Sequence, residues 1–440
     1  MNSSGQVKSQ TYSYDGLGRL VTTALTSDLA GTDYVATSYD ALGRIITVTN
    51  PYRSTSDPTY GITRYTYDAL NRKAIQAQPD GNTLQWCYDG SANSGQTNCA
   101  ANRSSQAADS WVDYSDETGR HWQQASDALG RLTAVMEPNT SNVPALETDY
   151  QYDALGDLLS VSQCGGPCPG ANALIRSFSY DSLSRLFSSY NPESGTIGYS
   201  YDADGNVVSK TSMAPNVASG GTATITASYT YDALNRILSK SSNDSAGTPA
   251  VCYQYDTTSL TPPPGQSGNF IGRLTNEWTQ PATANNKSCA AAIPIGTTTL
   301  YTSKSILSYD PMGRVLNEQT CVYPKCTTST AQYPMAYTYD LLGDITSYTN
   351  GNNSALFTNT YDGVGRLQSV TSTWQDTTHV SPLFSSPTYS PAGDLTGANY
   401  GSGNGVTQCR WYDPRLRVTG ETDTSGPLSG SLSCPAEQNP

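Results

Sequence analysis

Acidic and basic side chains at fixed spacing are the groups in this chain best placed for chemistry. An Asp followed four residues later by an Arg occurs at Asp15/Arg19, Asp40/Arg44, Asp68/Arg72, Asp127/Arg131, Asp232/Arg236, Asp310/Arg314 and Asp362/Arg366. In a single copy such a pair could serve general acid–base work. Repetition argues otherwise, because a chain does not usually carry many copies of one active site, whereas an Arg beside each turn can pair with a carboxylate or cover a neighbouring ring. The segment Asp202-Ala203-Asp204-Gly205-Asn206 has the oxygen spacing that opens a calcium loop. Val207 then stands where glycine is needed and Met213 where a bidentate Glu belongs, so the segment reads as one more copy of the recurring turn. His121 and His379 have no Ser or Cys nucleophile beside them in a recognisable turn, and no Gly-x-Ser-x-Gly occurs. These patterns give no catalytic residues, no cofactor and no metal ligands.

The elements that position these residues follow from the repeat itself. Tyr-Asp occurs thirteen times and usually opens one phrase, as in Tyr14-Asp15-Gly16-Leu17-Gly18-Arg19-Leu20 and Tyr39-Asp40-Ala41-Leu42-Gly43-Arg44-Ile45. The chain is therefore a tandem repeat. Before the turn the tyrosines sit two apart, as at Tyr12/Tyr14, Tyr65/Tyr67, Tyr229/Tyr231 and Tyr337/Tyr339, which places both rings on one face of a β-strand. Asp suits the first position of a type I turn, and Gly the left-handed position that ends it. Gly18, Gly43, Gly130, Gly313 and Gly365 occupy that position, and Asn71 and Asn235 replace Gly where it is missing, Asn being the other residue that tolerates positive φ. Ser184 is the awkward exception. A second strand starts at the Arg-Leu or Arg-Ile step, so each phrase is a β-hairpin tip, with tips at Asp15, Asp40, Asp68, Asp127, Asp153, Asp181, Asp232, Asp310, Asp340 and Asp362. Further turns at Asn50-Pro51, Gln78-Pro79-Asp80-Gly81, Glu137-Pro138-Asn139 and Asn191-Pro192 reverse the chain again.

Composition restricts what such a ribbon can bury. Charged residues make up 14% and hydrophobic residues 36%, against averages of about 25% and about 45–50%. A solid core is not expected. The 31 Tyr outnumber the 5 Phe, and their hydroxyls suit a thin sheet with solvent on both sides. The net charge of −13 with no Lys/Arg cluster disfavours nucleic acid as a partner. No apolar run is long enough to span a bilayer, and the first residues, Met1-Asn2-Ser3-Ser4-Gly5, do not open a signal peptide.

The ten cysteines are placed with respect to the repeat. Cys87, Cys252 and Cys409 lie just before tips, and each is followed by a cysteine in an irregular segment. Nearest-neighbour pairing gives Cys87/Cys99, Cys164/Cys168 and Cys321/Cys326, and over longer intervals Cys252/Cys289 and Cys409/Cys434, as disulfides in an oxidising compartment. Zinc is the competing reading, with no Cys-x-x-Cys and only His121 and His379 to assist.

The recurring Tyr-Asp-x-x-Gly-Arg-Leu phrase with its following Pro-x-Gly turn resembles the RHS/YD-repeat family, which includes bacterial RHS proteins, wall-associated proteins, Tc-toxin shell components and teneurins. The resemblance covers almost all 440 residues. It implies an all-β fold: tandem antiparallel hairpins in a curved or spiralling sheet, part of a hollow shell. Residues 1–256 and 301–440 are expected to form one repeat array, with 257–300 as an irregular Pro-rich insertion. The partner expected from the resemblance is an enclosed effector polypeptide, and the alternative is a cell-surface module that stacks its rings on glycans. Location is expected to be secreted or at the bacterial cell surface. A third reading is an autoprocessing toxin without its C-terminal region: Trp411-Tyr412-Asp413-Pro414 resembles a phrase near the family's autoprotease, but the second aspartate element downstream is missing.

Overall fold

The computed structural model describes residues 8–90, 96, 99–102, 104–106, 109–214, 223–244, 247–258, 260–281, 289, 302–322, 326, 333–351, 355–374, 380–428, 432 and 434–435. His379 and most of 282–301 lie outside them. The described residues form thirty β-strands, from β1 (Gln10–Tyr14) to β30 (Val418–Pro427), and no α-helix. The protein is all-β. None of its described segments is a helix long and apolar enough to cross a membrane.

The strands fall into two compact units. Unit 1 holds Met1–Ala100, Asp113–Arg120 and Tyr337–Pro440, and unit 2 holds Ala101–Val112 and His121–Ala336. In unit 2 every strand from β9 (His121–Ser126) to β22 (Val315–Val322) pairs antiparallel with the next in sequence. In unit 1 the same serial pairing runs from β1 to β7 (Thr83–Tyr88) and from β24 (Ile345–Thr349) to β30.

Serial pairing follows from the turn chemistry. At the first tip the Gly18 N–H donates to the Asp15 carbonyl over 3.0 Å and the Asp15 N–H to the Arg19 carbonyl over 2.9 Å, closing a type I turn. Tyr14 faces Leu20 while Ser13 faces Thr22, so Val21 is an extra residue, a β-bulge. The same slip recurs at the tips ending in Tyr39, Tyr67, Tyr201, Tyr231 and Tyr361.

Alternation gives the sheet two different faces. In β15 (Gly195–Tyr201), Tyr199 and Tyr201 share one face and Ser200 the other. Ser200 meets Ser209 of β16 (Val207–Met213) at 2.6 Å, Thr211 meets Thr226 of β17 (Thr224–Tyr231) at 2.9 Å, and Thr230 meets Ser239 of β18 (Ile237–Ser242) at 2.6 Å. Across β15 to β18 the face opposite Tyr199 and Tyr201 therefore carries a series of hydroxyl pairs. Such a ribbon buries little apolar matter. A core cluster in unit 2 is small: Ala250, Cys252, Trp278, Cys321 and Cys326, with Cys289 against it. Trp278, 2% exposed, is its largest side chain.

Unit 1 brings distant parts of its sequence together. The Asn50 side-chain amide donates to the Pro414 carbonyl over 2.6 Å, and Arg415 pairs with Glu117 at 2.8 Å and Asp80 at 3.3 Å. Gly61 is required at this contact, since a Cβ there would lie 2.5 Å from Pro79 Cβ and 2.8 Å from the Pro414 carbonyl oxygen.

Candidate functional site

The repeated residues converge at the hairpin tips, and the geometry there assigns each a part. At the Asp40 tip, one carboxylate oxygen accepts the backbone N–H groups of Leu42 and Arg44 at 2.9 Å, and the other accepts Arg44 Nε at 2.6 Å. Asp15, Asp68, Asp127, Asp181, Asp232 and Asp362 repeat the arrangement. Asp310 holds Arg314 in the same way, through its backbone N–H and Nε.

The residue at the left-handed position has φ of +76° at Gly18, +84° at Gly43, +78° at Gly130, +90° at Gly313 and +89° at Gly365, +65° at Asn71 and +60° at Asn235. Ser184 (+58°) and Leu416 (+61°) adopt it as well, although both side chains disfavour it.

Each Arg also reaches the next repeat. The Arg19 guanidinium carbon lies 4.8 Å from the Tyr39 ring centroid, Arg44 is 4.7 Å from Tyr67, Arg131 5.1 Å from Tyr152 and Arg236 4.4 Å from Tyr255. These are cation–π distances. Arg19 and Arg131 further donate to the Asp40 and Asp153 carbonyls at 3.2 and 2.8 Å. The tyrosine hydroxyl returns the link, with Tyr39 donating to the Leu20 carbonyl at 2.9 Å, Tyr67 to Ile45 at 2.8 Å and Tyr389 to Leu367 at 2.6 Å. Asp and Gly of the phrase thus shape their own tip, while Arg and Tyr hold one hairpin to the next.

Electrostatics agree with that use. The Asp15 carboxyl is held below the ordinary aspartate value chiefly by the Arg19 backbone N–H. At Asp40 and Asp68 burial pushes the other way and is outweighed by the backbone N–H and guanidinium of Arg44 and Arg72. All these carboxylates are stabilised as anions and are poor proton donors near neutrality.

Asp202 accepts the N–H groups of Asp204 and Asn206 at 3.0 and 2.8 Å and the Asn206 amide at 3.0 Å, which makes it an ordinary tip with Asn206 in place of Arg. Asp413 likewise holds Arg417 at 2.8 Å. The Asp256 tip is a hairpin whose loop has been lengthened: the Asp256 N–H reaches the Arg273 carbonyl at 3.0 Å and Tyr255 pairs with Leu274. His121 begins β9, with its N–H to the Asn142 carbonyl at 3.3 Å.

The cysteines form five bridges: Cys87–Cys99, Cys164–Cys168, Cys252–Cys289, Cys321–Cys326 and Cys409–Cys434. Glu147, Asp149 and Cys168 approach one another closely enough to hold an ion. Cys168 is spent in a disulfide, however, and Glu147 already accepts the N–H groups of Ser105 and Cys168, both at 2.6 Å. The cluster anchors loops.

Besides Ser126-Asp127, two further tips carry no Tyr-Asp and escape a search for it. One is Asp116-Glu117-Thr118-Gly119-Arg120, where Asp116 accepts the Thr118 and Arg120 N–H groups. The other is Ser390-Pro391-Ala392-Gly393-Asp394, where Ser390 Oγ replaces the carboxylate. Gly at the fourth position is the signal common to both. The residue before it is Leu at Leu17, Leu42, Leu70, Leu129, Leu155, Leu183 and Leu234, and these leucines are 70–79% exposed.

Residues 39–83 match the RHS Repeat family. No curated protein sequence matches the chain. Among solved structures, the TcdB2-TccC3-Cdc42 assembly matches 95% of this chain and 21% of its own, at 15% identity and a TM-score of 0.66. The TcdB2-TccC3-TEV assembly matches 94% and 21%, at 15% identity and 0.64. The Photorhabdus luminescens Tc holotoxin pore matches 95% and 20%, at 15% identity and 0.51. The chain therefore spans about a fifth of the length of the chains it matches.

Proposed function

Because the chain is built of RHS repeats and shares the fold of these Tc assemblies, we propose that it is a non-catalytic segment of an RHS-type shell, which encloses or presents an effector polypeptide outside the cytoplasm. The observation that carries this reading is that the repeated Asp shapes its own tip and the repeated Arg and Tyr link that tip to the next hairpin, as Asp40, Arg44 and Tyr67 illustrate. Groups that might have done chemistry are wall components. Two of the similar assemblies are TcdB2-TccC3 with Cdc42 or TEV, and a further one is TcdB2-TccC3 without its hypervariable C-terminal region, which motivates a polypeptide as the thing enclosed. Disulfides suit an oxidising location.

Glycan binding is the second reading, and a glycan array separates the two. Guanidinium groups already lie over the tyrosine rings that would stack on sugars, so the array should stay blank. The direct test of the first reading is cryo-electron microscopy of the full gene product. Residues 8–428 should line a chamber holding additional polypeptide density. A sheet with bulk solvent on both faces would overturn the reading.

A further inference from the structure

A group of charges in unit 1 lies outside the repeated phrase. Asp28 follows β2 (Leu20–Leu25), and its side chain is only 1% exposed. It accepts Arg53 at 2.7 Å and the Ala30 N–H at 2.9 Å, and it lies 2.9 Å from Arg366. Asp33 opens β3 (Asp33–Tyr39) with its side chain 4% exposed. One oxygen lies 2.9 Å from Arg53 Nε, but the alignment is not that of a hydrogen bond, and among the described residues no N–H or hydroxyl donates to either Asp33 oxygen, which leaves the Asp28 carboxyl as its hydrogen-bonding neighbour when a proton is shared.

Both arginines reach further. Arg53 donates to the Tyr389 carbonyl at 3.4 Å, while Arg366 is held by Asp362 at 2.7 Å and lies over the Tyr389 ring. Asp28, Arg53, Asp362 and Arg366 line a cavity of about 410 Å³. The groups come from four places: Asp28 and Asp33 beside β2 and β3; Arg53 and Asp57 in the segment after β4 (Ile45–Thr49); Asp362 and Arg366 at the tip between β25 (Leu356–Tyr361) and β26 (Leu367–Ser372); and Tyr389 ending β27 (Phe384–Tyr389). Asp57 is occupied with the backbone N–H groups of Arg53 and Ser54. Three carboxyls, Asp28, Asp33 and Asp362, therefore share two guanidiniums, leaving one negative charge in excess.

We propose that Asp28 and Asp33 form a proton-operated clasp tying residues 26–53 to the tips at 362–389 of the same unit, closed while the pair holds one proton and loosened when that proton leaves. A buried excess charge is costly, and a proton removes it at least expense. Burial, then hydrogen bonding with Asp28, raises the Asp33 carboxyl to about 7. Burial also acts on Asp28, but the Arg366 and Ala30 donors prevail and bring it to about 2.

The sign follows by linkage. Asp33 binds its proton more tightly folded than unfolded, so its cost is absent below the unfolded value of 3.8 and complete above about 7. The stabilisation from Asp28 is present above 3.8 and lost only in strong acid. The clasp is tightest near pH 4 and loosens progressively as the pH rises to about 7. This inference stands without the shell reading.

Hydrogen–deuterium exchange of the full chain at about pH 5.5 and about pH 8.5, corrected for intrinsic rates, tests it. Peptides covering 26–33, 50–57 and 362–367 should lose protection by roughly tenfold or more at the higher pH, while strands β15–β18 should not change. Asp33→Asn, neutral at every pH, should abolish the difference, and so should Asp28→Asn, which removes the excess charge from the other partner. Should either variant fail to fold, the wild-type step and the remaining variant still decide. Wild-type peptides that exchange alike at both pH values would overturn the proposal, as would a step retained in Asp33→Asn or one erased by added divalent cation.

Discussion

Within one tip, neighbouring residues of the phrase differ sharply in what they contribute. Gly43 sits at φ +84°, and a Cβ there would meet only Arg19 Nη1 at an ordinary 3.7 Å, so backbone strain decides the outcome. Gly43→Val should destabilise by roughly 1–2 kcal/mol more than Gly43→Asn, measurable as a lower Tm in thermal unfolding. Leu42, beside it and 71% exposed, has nothing to lose, and Leu42→Ser should change stability by no more than about 0.5 kcal/mol. Equal effects from Val and Asn would contradict the assigned turn. Acid acts on the other conserved part of the tip. Because Asp15, Asp40, Asp68, Asp127, Asp181 and Asp232 are all held below 3.8, their contribution is present above that value and lost as pH falls through the folded values. Circular dichroism should show Tm falling steeply below about pH 4. Turn residues were legible in the sequence because Gly and Asn alternate at one position. That each Arg could pair with a carboxylate or cover a neighbouring ring was legible too, but not that the ring is the Tyr of the next tip, since the two are about one repeat apart.

Among the elements, the strands entering tips were legible from tyrosines two apart, whereas the hydroxyl pairs on their other face were not. The cross-strand pairing of those hydroxyls, such as Thr230 with Ser239, depends on the bulge beside Tyr231 and could not be read from one strand. The bridges differ in how much chain they close. Cys252 and Cys289 are 37 residues apart, Cys164 and Cys168 only 4. Loop-closure entropy gives about 4 kcal/mol for the first and about 2 kcal/mol for the second. Cys252→Ser should therefore lower the urea midpoint well beyond Cys164→Ser, and the more so because Cys252 packs with Trp278 in the small core. Similar midpoints for the two would show that the longer loop is not restrained in the unfolded chain as assumed.

For the whole molecule, composition foretold a chain with little core, and the repeat foretold its serial pairing. The Asp28, Asp33, Arg53 and Arg366 cluster was illegible: Asp28, Asp33 and Arg53 lie outside the recurring phrase, and Arg366 stands more than 300 residues from Asp28. The links from the Arg of a tip to the following Tyr, in contrast, join consecutive hairpins. Their consequence is genetic. A gene coding for such a chain can lose or gain a whole unit by unequal recombination, and the protein closes over the scar, because every hairpin asks the same thing of whichever hairpin comes next. Excising residues 202–231 would join Tyr201 to Asp232, remove two strands, and present Arg185 with the Asp232 carbonyl where it now meets that of Asp202 at 3.4 Å. That shortened protein should be soluble and unfold cooperatively in urea. Removing only one strand would turn every later tyrosine to the opposite face, and that product should aggregate. Such a chain should thus tolerate a change in length by whole hairpins and not by single strands.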